Sequence, residues 1–221
     1  MPNLRRLSIN FSDGSTERVL AHVAKLDQLE RLGLFNAPDL GEEAKNLAAL
    51  PGLKSLTIEF ASHTATSGLA HLAKLSHLES LELTNASNLG AQLPALAELS
   101  NLKRLSLGGR TVTDKDLEHI GNLATLEELA LVGTAVTDEG FVHLRGLPQL
   151  RRLNLPGTTI TDDAIPHLQQ LTGLGALSAW SSFLTPMGAT KLKQYFPNLK
   201  INGAWYAPPP SAEQRKIIGE I

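Results

Sequence analysis

Five histidines recur at one position of a repeating pattern, and imidazole is a side chain that binds metals and titrates near neutral pH. Each stands one residue before an apolar residue; they are His22, His71, His119, His143 and His167. Three consecutive rows of such a stack could share a zinc ion or titrate together at about pH 6. No acidic residue keeps the same spacing. We therefore interpret this position as a repeated helix surface, and predict neither a metal site nor a cofactor.

Other side chains that support catalysis are present but not arranged for it. Serine, histidine and aspartate are plentiful, yet they fall at repeat positions where a structural role already explains them. The sequence contains no glycine-rich phosphate loop of the required spacing and no nucleophile elbow. It also contains no cysteine, which excludes disulfides and thiolate metal sites. These observations predict that the chain is not an enzyme.

The elements that position these residues follow a repeated motif, Leu-x-x-Leu-x-Leu. The motif begins at Leu4, Leu29, Leu53, Leu78, Leu102, Leu126, Leu150 and Leu174, in steps of 24 or 25 residues. Each repeat has an apolar side that it can bury only against its neighbours. The regular spacing therefore predicts one stacked solenoid, which presents a long surface rather than a catalytic pocket.

Each repeat divides into a strand and a helical part. In the fifth repeat Leu105 and Leu107 flank Ser106, as in a strand with two inward side chains and one outward side chain. Glycine then allows a turn, and apolar residues spaced by three indicate an α-helix or 3₁₀ helix. Threonine caps free N–H groups and aspartate complements the helix dipole, so Thr-Asp pairs at 113–114, 137–138 and 161–162 mark helix starts.

The helical parts of three repeats read VTDKDLEHI, VTDEGFVHL and ITDDAIPHL. Together with the leucine motif, they resemble leucine-rich repeat proteins, in particular the 24-residue GALA-like class and the related cysteine-containing class, over residues 4–203. The resemblance implies an α/β fold, a right-handed horseshoe-shaped solenoid with parallel strands on the concave face and short helices on the convex face. It also implies protein recognition.

The chain is expected to divide into two regions. Residues 1–206 would form the solenoid, with about eight full repeats and a closing strand, and residues 207–221 a proline-rich linker and a short tail. The net charge of −2 and the pI of 6.4 favour no nucleic-acid partner. The sequence shows no membrane-length apolar run and no leader, so we predict no membrane association and favour the cytoplasm.

Outward strand positions form the predicted binding surface on the concave face. Aromatic residues and arginine are enriched at protein interfaces, so the first three repeats are expected to carry the anchors. The candidates are Arg6, Phe11, Arg31, Phe35, Thr57, Glu59, Phe60, Glu82, Arg104, Glu128, Arg152 and Trp180. Three alternatives stay open: the phenylalanines could pack beneath loops, the tryptophan could cover the solenoid end, and the last two arginines could pair with the glutamate between them.

The favoured function is non-enzymatic recognition of a protein or peptide by a rigid, preformed face. The alternative is a structural or assembly role. The motif starts at Leu4 without a polar capping repeat, and an uncapped first repeat exposes apolar side chains and a strand edge. On this alternative, we expect the chain to be a fragment of a longer protein or to self-associate through its N-terminal repeat. A third possibility is an inert repeat region of a larger bacterial protein.

Overall fold

The computed structural model describes residues 3–12 and 19–203, with the side chain of His63 left out. Trp205, Tyr206 and the tail predicted at 207–221 lie outside the described residues. Within the described residues, strands alternate with helical segments.

The described residues form nine strands in one open sheet. All neighbouring strands are parallel, and their order in the sheet is their order in the sequence. The strands are β1 (Arg6–Asn10), β2 (Arg31–Ala37), β3 (Ser55–Thr64), β4 (Ser80–Ala86), β5 (Arg104–Gly108), β6 (Glu128–Val132), β7 (Arg152–Asn154), β8 (Ala176–Ser178) and β9 (Lys200–Asn202). The motif leucines stack in register, as Leu105 does on Leu129.

Helical segments connect successive strands and lie on the other side of the core. The α-helices are α1 (Val19–Val23), α2 (Leu89–Gln92), α3 (Asp114–Ile120), α4 (Ile165–Leu168) and α5 (Pro186–Tyr195). The 3₁₀ helices are Gly41–Ala49, Leu69–Lys74, Leu93–Glu98, Asp138–Gly146 and Asp162–Ala164. Parallel strands joined through such crossovers wind right-handedly. The result is the predicted solenoid, with strands on the concave side and helices on the convex side.

The core is a continuous apolar spine between the strands and the helices. Leu105, Leu129 and Leu153 are at most 1% exposed, and the helical residues Leu117 and Ile120 are buried against them. The buried side chains of successive units belong to one apolar cluster, so burial in one unit depends on its neighbours.

In most units the chain turns away from the strand at a residue whose backbone is in the left-handed conformation. This residue stands two positions after the second inward side chain of the strand. Gly109, Gly133 and Gly157 have φ of +115°, +57° and +68°, which confirms the predicted glycine turns. Asn36, Asn85 and Ser181 adopt positive φ at the same position of three other units. The left-handed residue breaks the strand alternation and turns the chain toward the helical side.

Phe11 and Phe60 occupy this turn position in the first and third units, and neither has positive φ. The chain stays extended there, so the strand alternation continues for one more inward residue. The two side chains are therefore 3% and 1% exposed, inside the core. Their predicted place on the concave surface is wrong, and the alternative of packing beneath the strand exits is correct.

The Thr-Asp pairs link successive units as well as starting helices. Thr161 accepts the N–H of Asp163 at 3.1 Å, which confirms the predicted capping role at this residue, and Thr185 accepts the N–H of Gly188 at the same distance. The side chain of Thr137 makes no such bond. Each aspartate also accepts the N–H and the hydroxyl of the threonine in the next unit, at 2.6–2.8 Å. The bridged pairs are Asp114 with Thr137, Asp138 with Thr161, and Asp162 with Thr185. These bridges fix the spacing of the helical side.

Candidate functional site

The outward side chains of the strands form one surface, which we call the sheet face. Strand register brings the predicted residues together in rows that run across the strands. Arg6 lies opposite Arg31, and Thr57 lies opposite Glu82. One further row consists of Arg104, Glu128 and Arg152 on three consecutive strands. Glu59 and Trp180 are also exposed on this surface, whereas Phe35 is half-buried.

Phe35 lies flat on the sheet rather than projecting from it. A Cβ atom built on Gly33 would stand 2.8 Å from Cε2 of the phenylalanine ring. The missing side chain of Gly33 therefore leaves the space that the ring fills. The exposed part of the ring offers a flat apolar contact close to the first two strands.

In the row of Arg104, Glu128 and Arg152, the charges of Glu128 and Arg152 neutralise each other. Nη2 of Arg152 lies 2.9 Å from Oε2 of Glu128, and its Nε donates to the same oxygen at 3.0 Å. Asn154 donates from Nδ2 to the other oxygen, Oε1, at 3.3 Å. Mutual pairing, one of the alternatives for this row, is confirmed for this glutamate and this arginine.

The N-terminal half of the sheet face carries charges that are not neutralised. Arg6 and Arg31 are exposed, and neither has a carboxylate within 4 Å among the described residues. Glu82 accepts only a 3.4 Å hydrogen bond from the hydroxyl of Thr57. Glu59 is exposed and has no ion-pair partner in the described part of the chain. This half of the face therefore presents two positive residues, Arg6 and Arg31, next to two negative residues, Glu59 and Glu82.

An apolar stripe lies at the strand exits of the sixth to eighth units, and sequence analysis identified only Trp180 among its three residues. It consists of Val132, Pro156 and Trp180, which occupy the same motif position. The side chains of Val132 and Trp180 are 42% and 51% exposed. Backbone bonds hold the stripe together, since Gly133 and Gly157 donate to the carbonyls of Pro156 and Trp180 at 2.8 Å. The shared motif position was the signal that could have revealed the stripe.

A second feature missed by sequence analysis is a row of alternating charge just before the strands, which we call the charge row. It runs through Arg5, Glu30, Lys54, Glu79, Lys103, Glu127 and Arg151. From its second residue onward, each N–H donates to the carbonyl of the residue one unit earlier, at 2.8–2.9 Å. Every internal charge thus has an opposite charge on both neighbouring units. The second residue of each leucine motif carried this signal.

Two ion pairs are formed within the charge row, both at 3.2 Å. They join Arg5 to Glu30 and Lys103 to Glu79. The hydrogen bond and the charge of Lys103 lower the pKa of Glu79, and the charges of Lys54 and Arg104 lower it further, against a smaller opposing effect of burial. Arg104, a predicted binding residue, therefore also acts on the charge row.

The repeated histidine position lies on the helical side of the solenoid. His119 and His167 are half-buried, and His143 is exposed. Nε2 of His71 stands 3.7 Å from Oε1 of Glu42. Among residues 3–12 and 19–203, no three histidine, aspartate or glutamate side chains gather into a group that could hold a metal ion. In the same part of the chain no helix has the length and apolar character needed to cross a membrane.

The fold is similar to the solved structures of two internalins from Listeria monocytogenes. One aligns with a TM-score of 0.53 and 20% sequence identity, over 82% of this chain and 74% of the internalin. The other aligns with a TM-score of 0.52 and 21% identity, over 92% of this chain and 68% of the internalin. The sequence matches no protein-family model and no curated protein. At this identity the likeness concerns the fold, a leucine-rich repeat solenoid as predicted; the GALA-like subclass stays a prediction.

Proposed function

We propose that this leucine-rich repeat solenoid is a non-enzymatic recognition module that binds a protein or peptide across its sheet face. The observation that carries the proposal is the contrast between the two sides of the sheet. One side is buried from β2 to β8, while the other exposes Trp180, Val132 and the arginines Arg6 and Arg31, which have no ion pair among the described residues. Large apolar side chains and arginine on one contiguous surface are typical of interfaces.

The rigidity of the surface supports the same function. Each strand is hydrogen-bonded to its neighbours, and a continuous apolar spine holds the inward side. A surface formed before the partner arrives loses little conformational freedom on binding, so more of the contact energy appears as affinity. The two internalin structures share this architecture, which is compatible with the proposal.

A random peptide library displayed on phage tests the proposal without knowledge of the natural partner. Peptides are selected on the wild-type chain, and their dissociation constants are then measured for a sheet-face variant, Arg31→Glu with Trp180→Ala. We expect selected peptides to lose about tenfold or more in affinity for this variant, because a charged and an aromatic anchor are removed together.

The control variant carries the same kinds of change on the helical side. Lys191→Glu with Met187→Ala alters an exposed cation and an exposed apolar side chain of α5, where Met187 is 79% exposed. Selected peptides should bind this variant as tightly as the wild type. Peptides that lose affinity equally for both variants, or for neither, would contradict binding at the sheet face.

A second candidate function, self-association through the first unit, is favoured by the outer edge of β1. This strand is the first in the sheet order and has no strand beyond it among the described residues. Its inward residues Leu7 and Ile9 are only partly buried. Strands with a free edge and apolar side chains pair readily with another copy. Light scattering across a dilution series tests this function: a monomer mass at every concentration contradicts it.

A further inference from the structure

We propose that the sheet face takes an extended peptide segment with an acidic end, a basic centre and an apolar end. The segment crosses the strands diagonally from the start of β1 and β2 to the exits of β6 to β8. This inference rests on the proposed function and specifies the partner of the same surface. It follows from the order in which unpaired charges and exposed apolar groups occur across the strands.

The acidic end of the segment complements the positive charges of Arg6 and Arg31. The two residues are register partners on adjacent strands, about 4.8 Å apart in the sheet. Two exposed guanidinium groups on adjacent strands repel each other, and no carboxylate of the described chain forms an ion pair with them. A carboxylate presents two oxygens that match the planar donor set of arginine. A pair of acidic side chains on the partner therefore fits this position.

The basic centre is required by Glu59 and Glu82 on the next two strands. Neither has an ion pair in the described residues, and Glu82 accepts only the long bond from Thr57. A lysine or arginine of the partner placed here gains two carboxylates, whereas an acidic residue is repelled by both. The sign change between neighbouring strands fixes the direction in which the segment lies.

Beyond Glu59 and Glu82, the path of the segment first crosses small outward residues and then reaches apolar ones. Ser106 and Ala130 are the outward residues at the middle of β5 and β6, and both are small and half-buried. They leave room for a peptide backbone close to the sheet. The path ends on the apolar stripe of Val132, Pro156 and Trp180, whose exposed tryptophan offers a flat ring for an aliphatic or proline side chain.

The length of the path sets the length of the segment. From β1 to β8 there are seven strand spacings, which amount to about 34 Å at about 4.8 Å each. An extended chain advances about 3.3 Å per residue, so about eleven residues span the diagonal. The charge order and the length together distinguish this partner from a general protein surface.

Two synthetic peptides of eleven residues test the charge order. The first has two aspartates at one end, two lysines in the middle, Leu-Pro-Trp at the other end, and glycine and serine elsewhere. The second exchanges aspartate and lysine. Fluorescence anisotropy gives the dissociation constants for the wild type and for the variant Arg6→Glu with Arg31→Glu. We expect the wild type to prefer the first peptide by about tenfold or more, and the variant to lose this preference, because the reversed charges at 6 and 31 favour the second peptide while Glu59 and Glu82 still favour the first.

Controls separate this inference from folding effects and from the proposed function. Thermal unfolding of each variant checks that exposed-site changes leave the fold intact, and Trp180→Ala should weaken both peptides by a similar factor. Equal affinities of the wild type for the two peptides, or an unchanged preference in the charge-reversed variant, overturn the charge order. A single-stranded oligonucleotide of similar length that displaces the first peptide at equal concentration would overturn a peptide partner in favour of a general polyanion.

The library experiment distinguishes the recognition function of the sheet face from the proposed order of residues in the bound segment. If selected peptides depend on the sheet face but lack the acidic, basic and apolar order, the recognition function stands and this inference fails. If no selected peptide depends on the sheet face, both fail.

Discussion

At the residue scale, Phe35 and Phe60 show how one step along a strand changes the role of a side chain. Phe35 takes the last outward position of β2 and lies on the sheet over Gly33. Phe60 stands one motif position later in its own unit and is 1% exposed in the core. Side chains alternate between the two faces of a strand, so the same residue type serves as a surface contact in one unit and as packing in another.

Replacing Phe60 by alanine should lower the free energy of unfolding by about 3–5 kcal/mol, because the change leaves a cavity in a packed core. Phe35→Ala is the matched control on the outer face, and its loss should stay below about 1.5 kcal/mol. Urea unfolding followed by circular dichroism measures both. Similar losses for the two variants would contradict the assignment of Phe60 to the core.

The inward position of Phe60 was readable from the sequence, since it stands two residues after Ile58, which also faces inward. What hid it was the left-handed glycine found at the same position of other units, such as Gly133. Whether a strand continues or turns there depends on the residue itself: glycine and asparagine tolerate positive φ, and phenylalanine does not. The stacked strands, by contrast, followed directly from the leucine spacing.

Asp39 gives the solenoid a response to acid. Burial raises the pKa of its carboxyl group, but the N–H and hydroxyl of Ser67 and the N–H of Gly41 outweigh burial, and the net pKa lies below its ordinary value of 3.8. A carboxyl group with a lowered pKa in the folded state stabilises the fold above its unfolded pKa, and this contribution is lost as pH falls through the folded pKa.

We therefore expect the wild type to lose thermal stability more steeply than Asp39→Asn below about pH 4. At neutral pH the variant should be the less stable of the two, because an amide cannot accept all three hydrogen bonds as strongly. Melting temperatures measured from about pH 2.5 to pH 7 test this. Asp27→Asn, at an exposed carboxylate, is the control and should follow the wild-type curve. Parallel curves for Asp39→Asn and the wild type would refute the prediction.

At the element scale, contacts between units matter more than the rules that describe one helix or strand. The Thr-Asp pairs were interpreted from the sequence as a local cap and a dipole effect, and the cap is confirmed at Thr161. Asp138 nevertheless directs both carboxylate oxygens at Thr161 of the next unit, at 2.7 Å each. Local patterns cannot show this bridge, because it depends on how closely two helical segments stack.

The charge row is the second contact between units, and Glu79→Lys tests it. This change places three basic residues, at 54, 79 and 103, side by side on neighbouring units. We expect a loss of about 1 kcal/mol in unfolding free energy at low salt, shrinking at about 1 M sodium chloride because exposed charges are screened. Chemical unfolding by urea, which adds no ions of its own, measures the effect at both salt concentrations.

Glu98→Lys is the matched control for the charge row. Glu98 is exposed at the end of a 3₁₀ helix and has no ion pair among the described residues. The same change of net charge should cost little there and should depend weakly on salt. If both variants lose the same stability with the same salt dependence, the alternation before the strands has no energetic role.

At the scale of the whole molecule, the sheet order makes the chain nearly one-dimensional. In the part of the chain that the structure describes, each strand pairs only with the strand before and after it in the sequence. The stability of such a stack is roughly the sum of unit and interface contributions, so a defect acts mainly on its neighbours. Among the described residues, the central strands have two interfaces, and β1 and β9 at the ends of the sheet have one. Terminal units should therefore open first, which also limits how firmly Arg6 holds a partner.

Leu107→Ala and Leu7→Ala compare the centre with the end. Leu107 is fully buried on β5 between Leu83 and Leu131, whereas Leu7 is only half-buried on β1. Leu107→Ala should cost about 2–5 kcal/mol and speed amide hydrogen exchange in β4 and β6 as well as β5. Leu7→Ala should cost less and speed exchange in β1 and β2 alone. Hydrogen exchange with mass spectrometry resolves these strands. A uniform increase over all units after either substitution would mean that the solenoid opens as one body, and the nearest-neighbour description would be wrong.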